Sequence, residues 1–262
     1  VSLTATNGVS NISETQTIYI GEESVVSYSG QYLILDGIDD YGKIEYDNSL
    51  SFVNDITIEV KIYVSEFDAP TGSVWRWNED SETILPIISQ SHSGSSIGDY
   101  TLGITPTRFL FGFETLDSRF HVDYEFEAKK WYNIAVVHSL GEGDNIIVYI
   151  NGLSYKGEWR DDSGNIADDN EMSGPNRMNP YGVGTNKGHA DSGDFKGYID
   201  DLSIWNIRRD LSEVKNDFEN GIDINEAGLA SYWNFDMEDN NIVSDMKNNN
   251  NITLFSGASI SQ

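Results

Sequence analysis

The sequence predicts an all-β protein built from two packed antiparallel sheets, with one short helix near residues 211–220. More than ten short segments along the 262 residues alternate apolar with polar residues or are rich in β-branched residues, as strands are. So many strands predict two stacked sheets rather than one. Aromatic residues make up 12% of the chain, and their rings pack well on a pleated surface.

The predicted strands follow one another at short intervals. They cover residues 17–20, 32–35, 56–64, 84–88, 100–104, 109–113, 120–124, 131–138, 146–150, 198–205, 229–234 and 252–255. Asn151 and Gly152 follow one of these strands and precede the apolar segment 153–159. An Asn-Gly pair in that position predicts a two-residue type I′ hairpin, because both residues tolerate positive φ.

One segment has helical rather than strand periodicity. Three apolar residues share one face of it: Leu211, Val214 and Phe218. Asp210 or Ser212 can cap the free amides at its start, and Gly221 is placed to end it.

Two predicted connections, 67–83 and 160–194, are unusually long. Long loops on a rigid scaffold often carry function. We expect residues 1–262 to form a single domain, because β-sandwiches often reach this size. The chain begins at Val1 and has neither a signal peptide nor a long apolar run, so we interpret it as a module excised from a longer protein.

The composition restricts the partners. With 43 Asp+Glu against 16 Lys+Arg, the formal net charge is -27, which opposes binding to nucleic acid or to anionic lipid. The acidic excess indicates either general solvation or local carboxylate clusters that bind Ca²⁺. The chain has no cysteine, which excludes disulfides, a thiol nucleophile and cysteine-ligated metals.

Three segments occur in an order typical of a known family. The first comprises LILDGIDDY at 33–41 and ITIEVKIYV at 56–64. The second comprises KWYNIAVVH at 130–138 and IVYING at 147–152, and the third FKGYIDDLSIWN at 195–206 and LSEV at 211–214. This pattern resembles the laminin G-like and pentraxin-like jelly-roll domains of bacterial surface proteins, which are concanavalin A-like sandwiches.

The resemblance implies an extracellular attachment module with no activity of its own, frequently assisted by Ca²⁺. We therefore expect a non-catalytic, calcium-assisted glycan-binding module of a bacterial cell-surface adhesin, acting as a monomeric unit within a larger chain. Its partner would be a glycan on a cell or algal surface, and it would not insert into a membrane. Two alternatives remain open: a protein- or peptide-binding adhesion module, and an accessory domain of a secreted polysaccharide-degrading enzyme.

A first metal site is expected where acidic residues from two segments meet. Its candidate ligands are Asp36, Asp39, Asp40, Asp200 and Asp201. Carboxylate and carbonyl oxygens are the ligands that Ca²⁺ prefers. The alternative is that Asp36 and Asp39 only accept hydrogen bonds from nearby turn amides.

A second site follows from the pentraxin comparison, which places a Ca²⁺ ion between two rim loops that correspond here to residues 89–99 and 184–194. Oxygen ligands there would come from Asp99, Asn186, Asp191 and Asp194, with His92 and His189 as hydrogen-bonding partners for a ligand. Lys187 interrupts the acidic run that pentraxins carry. A solvated rim with incidental histidines is the alternative.

Aromatic rings suit sugar recognition because a ring face stacks on the C–H face of a pyranose. The candidates beside the long loops are Trp75, Trp77, Trp159 and Tyr181, each either a sugar platform or a loop anchor. Three tryptophans on predicted strands are expected in the core: Trp131, Trp205 and Trp233. The sequence lacks the Glu-x-Asp-x-x-Glu strand of laminarinase-type hydrolases and the common nucleophile, zinc and phosphate motifs.

Overall fold

The computed structural model describes residues 2–6, 13–17, 30–52, 54–67, 84–90, 100–112, 118–139, 145–161, 165–166, 180–185, 194–236 and 239–261. Within these ranges the chain forms one α-helix, α1 (Leu211–Asn220), and one 3₁₀ turn (Asn48–Leu50). The strands are β1 (Ser2–Thr6), β2 (Ser13–Thr17), β3 (Leu33–Asp36), β4 (Tyr41–Ile44), β5 (Asp55–Val64), β6 (Leu85–Gln90), β7 (Tyr100–Ile104), β8 (Arg108–Gly112), β9 (Ser118–Asp123), β10 (Lys130–Ser139), β11 (Ile146–Ile150), β12 (Leu153–Tyr155), β13 (Glu158–Asp161), β14 (Tyr181–Val183), β15 (Lys196–Trp205), β16 (Leu229–Trp233), β17 (Ile242–Val243), β18 (Ile252–Phe255) and β19 (Ser259–Ile260).

Two large antiparallel sheets contain most of these strands. The eight-stranded sheet has the order β12-β11-β10-β5-β15-β3-β19, with β16 also paired to β15. The nine-stranded sheet has the order β13-β9-β8-β7-β6-β14-β4-β18-β17. Strands β1 and β2 form a separate hairpin. The structure thus confirms the predicted all-β, concanavalin A-like jelly-roll sandwich.

The core lies between the two sheets. On β5, Ile58, Val60 and Ile62 are fully buried, and they belong to one cluster with Phe109 and Phe111 of the opposite sheet. Because side chains alternate along a strand, the residues between them point to the outer face of the eight-stranded sheet. This alternation decides which residues can reach a ligand there.

The hairpin and the helix both form as predicted. Asn151 and Gly152 have φ of 49° and 78°, as a type I′ turn requires. Asp210 caps α1 by accepting hydrogen bonds from the amides of Ser212 and Glu213, and the Glu213 side chain accepts one from the Asp210 amide. Gly221 ends the helix with φ of 83°. No helix in the described ranges has the length and apolar character needed to span a membrane.

One central strand lies inside a segment predicted to be a long connection. β14 falls within residues 160–194 and pairs with both β4 and β6. Its three residues are too few to show a period of two, and Gly182 contributes no side chain to the pattern. The prediction of a single connection there was wrong, since tertiary pairing rather than local pattern creates this strand. The other long connection, 67–83, lies outside the described residues except for Phe67.

Helix α1 covers one half of the outer face of the eight-stranded sheet. Val214, Leu211 and Phe218 pack with a small apolar group on β10 and β11 that consists of Ala135, Val137, Ile147 and Tyr149. The half of the same face near Trp131, at the other end of β10, is not part of this contact. The site described next lies on that half.

Candidate functional site

Four aromatic side chains gather on the outer face of the eight-stranded sheet, and we call this group the aromatic patch: Tyr32, Tyr63, Trp131 and Tyr198. Trp131 on β10 lies opposite Tyr63 on β5, and Tyr63 lies opposite Tyr198 on β15. Their sequence neighbours Ile62, Tyr132 and Ile199 are buried in the core. Strand alternation therefore directs the three rings away from the core.

Close ring contacts hold the patch together. Tyr63 and Tyr198 stack with their centroids 4.9 Å apart, and Tyr32 lies 4.5 Å from Tyr198. Trp131 lies 5.6 Å from Tyr63 and 5.6 Å from Tyr32. All four side chains are partly exposed. Contiguous exposed apolar patches often mark binding sites.

Ser261 positions Tyr32. The amide of Tyr32 donates a hydrogen bond to the Ser261 hydroxyl at 3.1 Å, and the Ser261 amide donates one to the Tyr32 carbonyl at 2.9 Å. These bonds continue the pairing between β3 and β19. The amide and the carbonyl of Tyr32 are thus both bonded to Ser261, so little backbone entropy remains to be lost there when a ligand binds.

A polar group borders the patch. Lys61, two residues before Tyr63 and on the same face, forms a 2.7 Å ion pair with Asp201. The hydroxyl of Tyr232 also donates to Asp201 at 2.5 Å. Burial, followed by the nearby charge of Asp201, raises the pKa of Tyr232, so its phenol stays protonated and continues to donate. These partners hold Asp201 in the sheet.

Beneath α1 the same face carries a buried charge cluster, which we call the Arg209 cluster: Glu59, Arg209, Asp217 and Glu226. The Arg209 guanidinium lies 3.5 Å from Glu59, pairs with Asp217 and Glu226, and stacks 3.8 Å above the Trp205 ring. Burial, then repulsion from Asp217, raises the pKa of Glu59 to about 8. Burial raises the pKa of Asp217 to about 6. Both carboxyls are enclosed, so the cluster anchors the helix and does not face a ligand.

The acidic turn after β3 brings three predicted metal ligands together. Carboxylate oxygens of Asp36, Asp39 and Asp40 lie within 4.8 Å of one another. Asp36 and Asp39 are exposed, whereas Asp40 is buried. Asp36 also accepts a hydrogen bond from the Ile38 amide at 2.7 Å, and Asp40 accepts one from the Asp36 amide at 3.1 Å. The three carboxylates suit a hard cation such as Ca²⁺. The bond from the Ile38 amide also fits the alternative that Asp36 accepts a hydrogen bond within the turn.

The other two aspartates predicted for this site lie elsewhere. Asp36 is opposite Lys196 at the start of β15, and Asp200 is four residues further on, about 13 Å along a strand. Asp201 pairs with Lys61 instead. The prediction that Asp200 and Asp201 join Asp36 was wrong, because β15 runs away from the acidic turn as one continuous strand.

The predicted rim site falls mostly on residues outside those that the structure describes. These are His92, Asp99, Asn186, His189 and Asp191, and the loop aromatics Trp75 and Trp77 also lie outside the described residues, so the roles predicted for all seven stay predictions. Asp194 is described: its carboxylate is 4% exposed and accepts a hydrogen bond from the Thr185 hydroxyl.

Three aromatic predictions need correction. Trp159 and Tyr181 are only 3% and 1% exposed and belong to the core, so neither can be a sugar platform. Tyr181 instead donates a hydrogen bond to the Leu50 carbonyl at 2.8 Å. Trp131 was expected in the core, but it is partly exposed within the aromatic patch. The core prediction is confirmed for Trp205 and Trp233, which are fully buried.

Sequence reasoning missed the tyrosines of the patch. Tyr63 and Tyr198 each alternate with buried residues of a predicted strand, and that alternation already places them on the outer face. Tyr32 begins the predicted strand 32–35 and alternates with the buried Leu33 and Leu35, so the same signal was present there. That it joins Tyr198 follows only from the pairing of β3 with β15.

The two facing sheets define a sandwich of the lectin and glucanase type, and the sequence comparison specifies the family. Residues 36–215, more than half of the chain, match the laminin G-like family described as the concanavalin A-like lectin/glucanases superfamily. The chain belongs to this family. No curated protein matches the sequence significantly.

Solved structures share the fold at low identity. A candidate carbohydrate-binding protein from Bacteroides ovatus superposes with a TM-score of 0.61 at 16% identity. The alignment covers 89% of this chain and 60% of that protein, so this chain spans less than two thirds of its length. The heptameric SAP-like pentraxin from Limulus polyphemus superposes with a TM-score of 0.52 at 14% identity, covering 88% of this chain and 94% of the pentraxin.

Proposed function

We propose that this chain is a non-catalytic extracellular module that binds carbohydrate through the aromatic patch, as part of a bacterial cell-surface adhesin. The observation that carries the proposal is the contiguous, partly exposed group of four rings on the part of the eight-stranded sheet that α1 does not contact. The fold supports it, since the Bacteroides ovatus protein of the same architecture is described as a candidate carbohydrate-binding protein.

The chemistry of the patch suits a sugar. Ring faces attract the C–H face of a pyranose, while phenol hydroxyls can donate to and accept from its hydroxyls. The patch supplies three phenols and one indole, and the adjoining Lys61 and Asp201 add charged groups at its border. The net charge of -27 disfavours a highly anionic polymer, so we expect a neutral or weakly charged glycan.

The two carboxyls with the most strongly raised pKa values support a module without catalysis. Catalytic acids and bases need a pKa near neutrality and contact with the substrate. Glu59 and Asp217 have raised pKa values of about 8 and about 6, but they are 0% and 3% exposed and face Arg209 beneath α1. They cannot reach a sugar bound outside the sheet.

The proposal includes a Ca²⁺ ion bound at the acidic turn after β3. Asp36, Asp39 and Asp40 would hold the ion, which would supply positive charge to a segment that otherwise carries three neighbouring carboxylates. Asp36 ends β3, the strand that follows Tyr32. An ion there would stiffen the end of that strand.

A glycan array followed by calorimetry tests the proposal. We expect wild-type protein to bind at least one glycan, and Trp131→Ala to lower that affinity at least tenfold because a stacking ring is lost. The matched control is Phe255→Ala, which removes a 37% exposed ring from the other sheet and should leave binding unchanged. Failure to bind any glycan, equal losses in both variants, or cleavage of a bound polysaccharide would each contradict the proposal.

A further inference from the structure

A cavity lies at the nine-stranded sheet, whereas the aromatic patch lies on the eight-stranded sheet. The cavity has a volume of about 240 Å³ and lies beside the edge strand β13 and its neighbour β9. The lining residues are His121, Asp123, Lys156, Gly157, Glu158 and Arg160. The volume is below the roughly 300–1,000 Å³ of drug-sized sites, so it suits a single sugar residue rather than a chain.

Strand alternation and one glycine form this cavity. Phe120, Val122 and Trp159 point into the core, so the residues between them point outward. Gly157 precedes β13, and a Cβ atom there would lie 2.1 Å from the His121 carbonyl oxygen. Only glycine lets the backbone run this close to β9.

Two cations and two carboxylates line the cavity, and two further arginines lie near it. Arg108, Arg119 and Arg160 surround His121, and burial followed by their positive charges lowers the pKa of His121 to about 3. His121 is therefore neutral at physiological pH. Lys156 adds a further cation on the lining. In a chain with net charge -27, the cavity thus offers as many cations as carboxylates on its lining.

The cations in and near the cavity differ in whether they contact a carboxylate of the protein. Arg160 donates to Glu158 at 2.8 Å and 2.6 Å, and Arg108 lies 3.7 Å from Asp123. Lys156 is exposed and makes no hydrogen bond or ion pair with any residue that the structure describes. Its ammonium group is therefore available to an anionic ligand.

The carboxylates of Asp123 and Glu158 restrict the kind of anion that the cavity can bind. The Asp123 side chain is 80% exposed and that of Glu158 is 43% exposed, so both can accept hydrogen bonds from a ligand. They would repel a bare inorganic anion but would bind hydroxyl groups. A ligand that matches both signs carries one carboxylate and several hydroxyls.

We propose that this cavity binds the sugar acid of a glycan, a uronic-acid-type monosaccharide whose carboxylate contacts Lys156 and Arg160 and whose hydroxyls contact Asp123 and Glu158. The site is independent of the aromatic patch and lies on the other sheet. It would give the module a second, charge-selective contact with an acidic residue of an otherwise neutral glycan. A single carboxylate is attracted by the local cations, although the net charge still repels a polyanion.

Calorimetry with sodium glucuronate, glucose and sodium acetate tests this proposal at constant ionic strength. We expect glucuronate to bind in the millimolar range and glucose and acetate at least tenfold more weakly, because each carries only half of the recognised groups. Lys156→Gln should weaken glucuronate binding about fivefold to tenfold, within the range of a charge-assisted hydrogen bond. Lys215→Gln, the same change on α1, is the matched control and should have no effect.

The aromatic variant separates this site from the patch. Trp131→Ala should retain full glucuronate binding, whatever its effect on other glycans. Loss of glucuronate binding in Trp131→Ala would place the sugar acid on the patch and overturn the proposal. Undetectable glucuronate binding, equal binding of glucose or acetate, or wild-type affinity in Lys156→Gln would overturn it as well.

Discussion

Tyr63 and Tyr198 lie directly opposite each other on β5 and β15, and their rings stack with 4.9 Å between centroids and 15° between planes. Each ring contacts a further aromatic side chain, Trp131 for Tyr63 and Tyr32 for Tyr198. The stacked pair is thus the centre of the aromatic patch. Because the four rings restrict one another, they present a surface that needs little reorganisation to bind a ligand.

Removing Tyr198 should therefore damage the patch more than removing its hydroxyl. We expect Tyr198→Ala to lower glycan affinity at least tenfold, since Tyr32 and Tyr63 both lose a ring contact. Tyr198→Phe keeps the ring and should stay within about threefold of wild type. Calorimetry with a glycan identified on the array gives both values. Equal affinity of Tyr198→Ala and wild type would contradict this role.

Calcium should stabilise the fold through the acidic turn. An ion that binds only the native state raises the melting temperature, and at 100 times its Kd it adds about 2.7 kcal/mol. We expect a higher melting temperature in Ca²⁺ than in chelator, and Asp39→Asn should abolish the difference because it removes a ligand charge.

The control for the calcium prediction is Glu219→Gln, which neutralises an exposed carboxylate on α1. This variant should keep the calcium-dependent difference. Identical melting curves of wild-type protein in Ca²⁺ and in chelator would show that the turn is stabilised by its hydrogen bonds alone.

The Arg209 cluster should make stability fall as pH rises. The pKa of Glu59 is about 8 in the folded protein, against an ordinary value of 4.5. Between these values the folded state holds a proton that the unfolded state releases, so the free energy of unfolding decreases from about pH 4.5 to about pH 8. Glu59→Gln stays neutral at every pH and should remove this contribution.

Urea denaturation at acidic, neutral and mildly alkaline pH measures the effect. Relative to wild type, Glu59→Gln should gain on the order of 4 kcal/mol between pH 5 and pH 8.5, since the pKa difference acts over about three pKa units of this range and each corresponds to about 1.4 kcal/mol. Glu219→Gln should show the same pH dependence as wild type. Parallel curves for Glu59→Gln and wild type would mean that Glu59 remains ionised in the folded protein.

Local physics explains which elements could be predicted. The capping box of Asp210 and Glu213 and the positive φ of Gly221 involve only neighbouring residues, so the bounds of α1 follow from the sequence. The same holds for the turn at Asn151 and Gly152. The short strand β14 lacked such a signal, because its pairing with β4 and β6 joins residues far apart in the chain.

The candidate sites depended on non-local geometry, and they were predicted less well. The acidic turn was found because Asp36, Asp39 and Asp40 are close in sequence, whereas Asp200 was assigned to it wrongly because register along β15 is not visible in the chain. Trp131 was assigned to the core because it lies on a predicted strand. A strand side chain can point to either face of the sheet, and the sequence does not show which face is buried at that position. Trp131 lies outside the group of sheet residues that α1 contacts, and the sequence does not show the extent of that contact.

The sequence by itself determined the all-β class, most strand positions, the capped helix and the acidic turn, since alternation, capping and turn conformation act between residues a few positions apart. Only the tertiary structure decided that Tyr32, Tyr63, Trp131 and Tyr198 form one surface and that cations gather at the Lys156 cavity. Both require the pairing of strands that are distant in the chain, and cross-strand register is set by burial of the whole sheet rather than by any local segment.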